Sequence, residues 1–202
     1  LLRTGDNDRQ SAPARLDGTD LRIGSFNVLN YFTALGQDFP GCRAYTDRFG
    51  EPVTTNGCLP RGAYTPEAFA RQQEKIAAAI NGLGTSVVAL EEIENSEKFG
   101  LDRDHALAHL VEALNAQAGE QRWAYVASPA TRPALADEDV IRSAFIYQPA
   151  EVTPVGESVI LRDEVNFDNA REPLAQHFRV ADGTPEGEAP WEQTTPKHRN
   201  DQ

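Results

Sequence analysis

The chain of 202 residues contains no methionine. A complete translation product starts with one, so the sequence reads as a processed product or a piece of a longer polypeptide. No apolar run approaches the ~18 residues of a membrane-spanning helix, and no membrane span is expected. Basic residues are scarce: 19 Lys and Arg stand against 31 Asp and Glu, a net charge of −12. That balance argues against a protein that grips nucleic acid by bulk electrostatics, because phosphate binding usually shows as a basic face. It leaves room for an enzyme that meets phosphate through a divalent cation. No Walker loop, GxGxxG, CxxC or internal repeat is present. The two cysteines, Cys42 and Cys58, lie in one irregular segment. Their pairing would close a short loop, contribute ~3 kcal/mol and indicate an oxidising, extracytoplasmic setting.

What is present is organised around two strands. Residues 21–29 read as a first strand with Asn27 inside it, and residues 86–91 as a second, apolar strand that runs into Glu91, Glu92 and Glu94. Between them Thr65-Pro66-Glu67 opens a helix, with an N-cap hydroxyl, proline at the first turn and an acid near the positive end of the dipole. Phe69, Ile76, Ile80 and Leu83 repeat on one face, and Gly82 and Gly84 stop it. Strand, helix and strand form a βαβ unit, whose strands are parallel and end at the same edge. Asn27 and Glu92 are therefore expected at one rim. A second helix is predicted over 103–118, with further strands at 122–127, 141–147, 152–161 and 173–180. Residues 1–20 read as a linker, 33–63 as a surface insertion, 21–180 as the domain and 181–202 as a polar, irregular tail.

Glu92, at the end of a buried strand, suits a hard oxygen-seeking ion such as Mg²⁺; the bland alternative is a solvated acidic cap. Strict alternation would place Glu94 on the same face as Glu92. Asn27 interrupts an apolar run, and a buried amide needs partners; it could orient a metal ligand or simply form a turn. Arg171 could fork onto a phosphate or pair with Glu172. His105 and His109 have the i, i+4 spacing of zinc ligands but lack a third ligand in pattern, and are read as structural. His177 is read as packed or edge-exposed on its strand.

The segments Ile23 to Phe32, Phe69-Ala70-Arg71-Gln72, Val87 to Asn95, Ile141 to Tyr147 and Arg171 to Leu174 together resemble the endonuclease/exonuclease/phosphatase (deoxyribonuclease I-like) superfamily, and within it the bacterial extracellular nucleases. The resemblance implies a four-layer α/β/β/α sandwich and Mg²⁺- or Mn²⁺-dependent phosphodiester hydrolysis, with Ca²⁺ as an accompanying ion. Carried over by position, Glu92 is similar to the family's metal-binding glutamate, Asn27 to the asparagine that supports metal and phosphate, and Arg171 to a phosphate-contacting arginine. The implied substrate is extracellular nucleic acid, DNA ahead of RNA. The implied location is extracellular or on the cell surface, with further domains of the same polypeptide. The Gly-Asp-x-Asn and Asp-His segments that carry the family's acid–base chemistry are not found. The implied sandwich is thus incomplete at its C-terminal end, and the chain is expected to be inactive by itself. The other readings are a non-catalytic binding module on the same scaffold and a phosphoesterase for a phospholipid or sugar phosphate.

Overall fold

A computed structural model describes residues 21–162, 167 and 172–181. The chain is mixed α/β. Its main sheet has four strands in the order β1 (Ile23–Tyr31), β4 (Val87–Glu94), β6 (Ile141–Tyr147) and β5 (Ala124–Tyr125). β1 and β4 are parallel, as the βαβ reading requires, whereas β6 runs antiparallel to both β4 and β5.

Helices α1 (Pro66–Leu83) and α2 (His105–Ala118) form one layer. The Thr65 Oγ accepts the Ala68 N–H at 3.2 Å, and Gly84 closes α1 at φ 63°. Ile76, Ile80, Leu107, Leu110 and Leu114 pack on Val28, Val88, Leu90, Ala144 and Ile146, which alternate along their strands onto one face of the sheet. The opposite face of β6 presents Phe145 and Tyr147 to Phe178 of a second small sheet, the hairpin β7 (Val152–Ile160) and β8 (Leu174–Val180). On β1 that same face is open, and Ile23, Ser25 and Asn27 are exposed.

Several sequence boundaries shift. The first strand runs two residues further than its expected end at 29, because a kink rather than a stop follows Asn27. The second helix starts at His105 instead of 103. The predicted strand over 122–127 pairs only at Ala124 and Tyr125. The insertion is not wholly irregular: β2 (Arg43–Thr46) and β3 (Pro52–Asn56) form an antiparallel hairpin, closed at its base by the Cys42–Cys58 disulfide. Such a hairpin pattern is weak in sequence, since it is short and mostly solvated. No helix among the described residues is long and apolar enough to cross a membrane.

Candidate functional site

The site forms where the regular pairing of β1, β4 and β6 fails. β1 and β4 stay in register to the pair Asn27–Glu91, then resume at Tyr31–Ile93. Three residues of β1, Val28 to Asn30, thus lie opposite Glu92 alone. On the other edge Leu90 pairs with Ala144 and Ile93 with Arg142, so Glu91 and Glu92 bulge opposite Ser143. Leu29, Asn30 and Glu92, with φ of 52°, 52° and 61°, are the non-glycine residues in the left-handed region among those described. Each such placement costs about 1–2 kcal/mol. Three together at one strand end mark a place where the surroundings over-determine the backbone.

The kink in β1 is held from both sides. Asn27 Oδ1 accepts the Leu29 N–H at 2.8 Å. From α1, Gln72 Nε2 donates to the carbonyls of Leu29 at 2.8 Å and Val28 at 3.3 Å, with Asn30 at 3.5 Å. Asn27 is exposed, not the buried amide the sequence suggested. It lies on β1, the edge strand of the sheet among the described residues.

Asn27, Glu91 and Glu92 line one cleft of about 1120 Å³. Glu91 accepts the Ser25 hydroxyl at 2.7 Å. The bulge at Glu92 breaks the alternation on which the placement of Glu94 rested. Glu94 is fully buried and does not join Glu92. Its carboxylate accepts from Thr33 Oγ at 3.0 Å, the Ala34 N–H at 2.9 Å and Ser96 Oγ at 2.5 Å. It therefore ties the chain leaving β1 to the chain leaving β4. Its charge, after burial itself, helps push the Tyr31 hydroxyl well above the usual tyrosine range.

The far wall is a network that the sequence reading missed. Arg103 forks onto Glu138, and Asn95 Nδ2 donates to the same carboxylate at 3.0 Å. Arg142 Nη2 donates to Asp104 Oδ1 at 2.6 Å, and Asp104 also accepts the Ser128 N–H and hydroxyl. These pairs fasten the long β5–β6 loop beside the cleft. Burial pushes the Arg142 guanidinium down to about 10, with Asp104 opposing the shift, so it stays charged at neutral pH. An arginine inside the apolar strand Ile141–Tyr147 was the available signal. A charge in such a strand must find a partner.

Arg171 lies outside the described residues. His105 is exposed. His109 belongs to the helix–sheet core: its Nδ1 is 2.9 Å from the Tyr31 hydroxyl, and its ring packs on Phe69. His177 is exposed on β8.

Glu91, Glu92 and Asn27 offer oxygen donors, which suit Mg²⁺ or Mn²⁺ in kind; such ions keep several waters. Among the described residues, however, no group of three or more Asp, Glu, His or Cys is arranged to hold a metal. The cleft is lined by Glu91, Glu92, Asp137, Glu138, Asp139 and Glu172 against Arg103, Arg142 and Arg162. Six acids against three arginines repel an anion unless a cation intervenes. No protein-family model, curated protein or solved structure matches the chain.

Proposed function

We propose that this chain is the metal-bearing portion of a metal-dependent phosphodiesterase acting on extracellular nucleic acid. The observation that carries the reading is the strained, cleft-lining Glu92 on a bulge, in one cleft with Asn27, which pairs with the adjacent Glu91 from the neighbouring parallel strand. Glu92 would hold a Mg²⁺ or Mn²⁺ ion, with Asn27 and Glu91 as further oxygen donors. When bound, the ion would supply charge stabilisation to a phosphoryl group and lower the pKa of a bound water. The protein residues hold and orient it; the net negative cleft favours a cation at this place. The Cys42–Cys58 disulfide supports an oxidising, extracellular location.

No histidine among the described residues lines the cleft. Within the described residues the cleft thus offers oxygen donors for a cation but no imidazole for acid–base work. Binding without turnover is the behaviour expected of this chain in isolation. The same observation favours a second reading, a non-catalytic binding module on this scaffold.

Titration with Mn²⁺, followed by electron paramagnetic resonance, tests the proposal. The wild-type chain should bind Mn²⁺ weakly, and Glu92→Gln should weaken binding at least about tenfold. Absence of Mn²⁺ binding, or binding indifferent to E92Q, overturns it. Metal binding also separates the two readings: a nuclease-derived site takes up Mn²⁺ through Glu92, whereas a binding module need not, and hydrolysis of plasmid DNA that is lost in E92Q would overturn the expectation that the chain is inactive by itself.

A further inference from the structure

We infer that Gln72 is a positioning residue for the Asn27–Glu92 site. The inference rests on the reading above for its metal readout, but its structural readout does not.

The argument starts at Leu29. It is a γ-branched residue in the left-handed region, at φ 52°, and its side chain is 72% exposed. Packing therefore does not hold it there, since an exposed leucine gains nothing from burial. What engages Leu29 is polar and comes from two side chains. Its N–H donates to Asn27 Oδ1, and its carbonyl accepts from Gln72 Nε2, both at 2.8 Å. Asn30, next along at φ 52°, continues the same left-handed turn. In a regular strand, successive carbonyls point to alternate sides and only every second one faces a given neighbour. Here the kink turns the carbonyls of Val28, Leu29 and Asn30 toward one donor, and the half-buried Gln72 meets all three. A primary amide has two hydrogens to give. The shortest contact, to Leu29, is the one opposite the Asn27 bond.

The consequence for the site is geometric. The three kinked residues are those that lie opposite Glu92, where the β1–β4 register slips. The Leu29 N–H fixes the Asn27 side chain, and the Leu29 carbonyl is fixed by Gln72. With the donor lost, three carbonyls lose it at once, and the left-handed pair has less to oppose its strain. The chain then relaxes toward ordinary strand geometry, and Asn27 loses the N–H that orients it. Among the described residues Gln72 is not one of those that line the cleft; it acts through β1.

Three variants separate a donor role from bulk. Gln72→Glu keeps the shape but puts an acceptor against three carbonyls. Gln72→Met keeps the volume without polarity. Gln72→Lys restores a donor. The first readout is hydrogen exchange of the Leu29 amide, by ¹⁵N-resolved NMR. The second is the Mn²⁺ dissociation constant. Q72E and Q72M should speed Leu29 exchange by about tenfold or more and weaken Mn²⁺ binding by about tenfold, the effect expected of groups that orient a metal ligand. Q72K should stay within about threefold of wild type in both. If Q72E fails to fold, Q72M decides alone. Leu29 exchange within twofold of wild type in the donor-less variants overturns the inference, as does Q72K behaving like Q72M. If the wild-type chain binds no Mn²⁺, the reading of the site falls, and Leu29 exchange still decides the role of Gln72.

Discussion

Glu92 stands opposite Ser143 in a bulge that its own left-handed φ of 61° creates. A carboxylate side chain thus stands at a backbone position better suited to glycine. Replacing Glu92 with Gly should relieve the strain, and replacing it with Ala should not. E92G is expected to be more stable than E92A by about 1 kcal/mol in urea unfolding. Both should lose Mn²⁺ binding. Equal stabilities would show that the bulge is unstrained. The trade of stability for a fixed carboxylate is the pattern seen at active sites.

The Arg142–Asp104 pair should be costly to break. Both side chains are nearly buried, at 9% and 13% exposure. Asp104→Ala leaves a guanidinium without its carboxylate and frees Ser128 as well. Loss of about 3–5 kcal/mol is expected on removing one partner of a buried pair. The check is the midpoint of chemical unfolding at pH 7. Arg103→Ala makes a second case through the buried Glu138.

Tyr31 sets an alkaline limit. Its hydroxyl is buried and pushed well above its ordinary value of 10.0, by burial first and then by Glu94 and Glu112. The unfolded chain releases that proton near pH 10, while the folded chain keeps it. The stabilisation is therefore complete below pH 10 and declines as pH rises past it. Tyr31→Phe removes a group that cannot ionise in place. The variant should lose about 1 kcal/mol at pH 7, through the bond to Gln73 at 2.6 Å. Its stability should then fall less steeply than that of wild type above pH 10. Parallel stability curves from pH 9 to 11 would contradict this. Arg142 works in the opposite sense: its folded value of about 10, below the usual arginine range, lets stability rise as pH passes 10. Comparing Y31F with wild type isolates the tyrosine.

The disulfide closes a separation of 16 residues, which corresponds to ~3 kcal/mol in chain entropy. The double variant Cys42→Ser, Cys58→Ser should therefore unfold at lower denaturant. The larger effect should be local, because β2–β3 has its own pairing and a fork from Arg61 onto Asp139 at the cleft rim. Limited trypsin digestion should cut at Arg43 or Arg48 first in the variant. Unchanged cutting would mean that the hairpin holds without its bridge.

The order of β1, α1 and β4 was legible in sequence, because each element carries a local signal. The signals are an apolar run, a capped helix with a spaced apolar face, and a second run ending in acids. Parallel pairing followed from the helix between the strands, and it placed Asn27 and Glu92 at one rim. The cleft they share agrees with that. Glu94 departs from the face that alternation gives it because alternation assumes an unbroken strand, and the bulge at Glu92 is a compromise among three strands. The insertion hairpin escaped because its residues are few and mostly solvated. The Asn95–Arg103–Glu138 network joins residues distant in sequence, and nothing local announces it.

What the chain by itself determined is therefore the elements and their topology, since periodicity, capping and crossover geometry act within a few tens of residues. Its acid excess also argues against gripping nucleic acid by bulk electrostatics. What only the tertiary structure decided is which polar groups are buried and which face the cleft. That choice depends on neighbours brought together from far along the chain: Gln72 under Leu29, Thr33 on Glu94, Asp104 beside Arg142. A desolvated charge or a strained φ is tolerated only where such partners converge, and the convergence is a property of the packed whole.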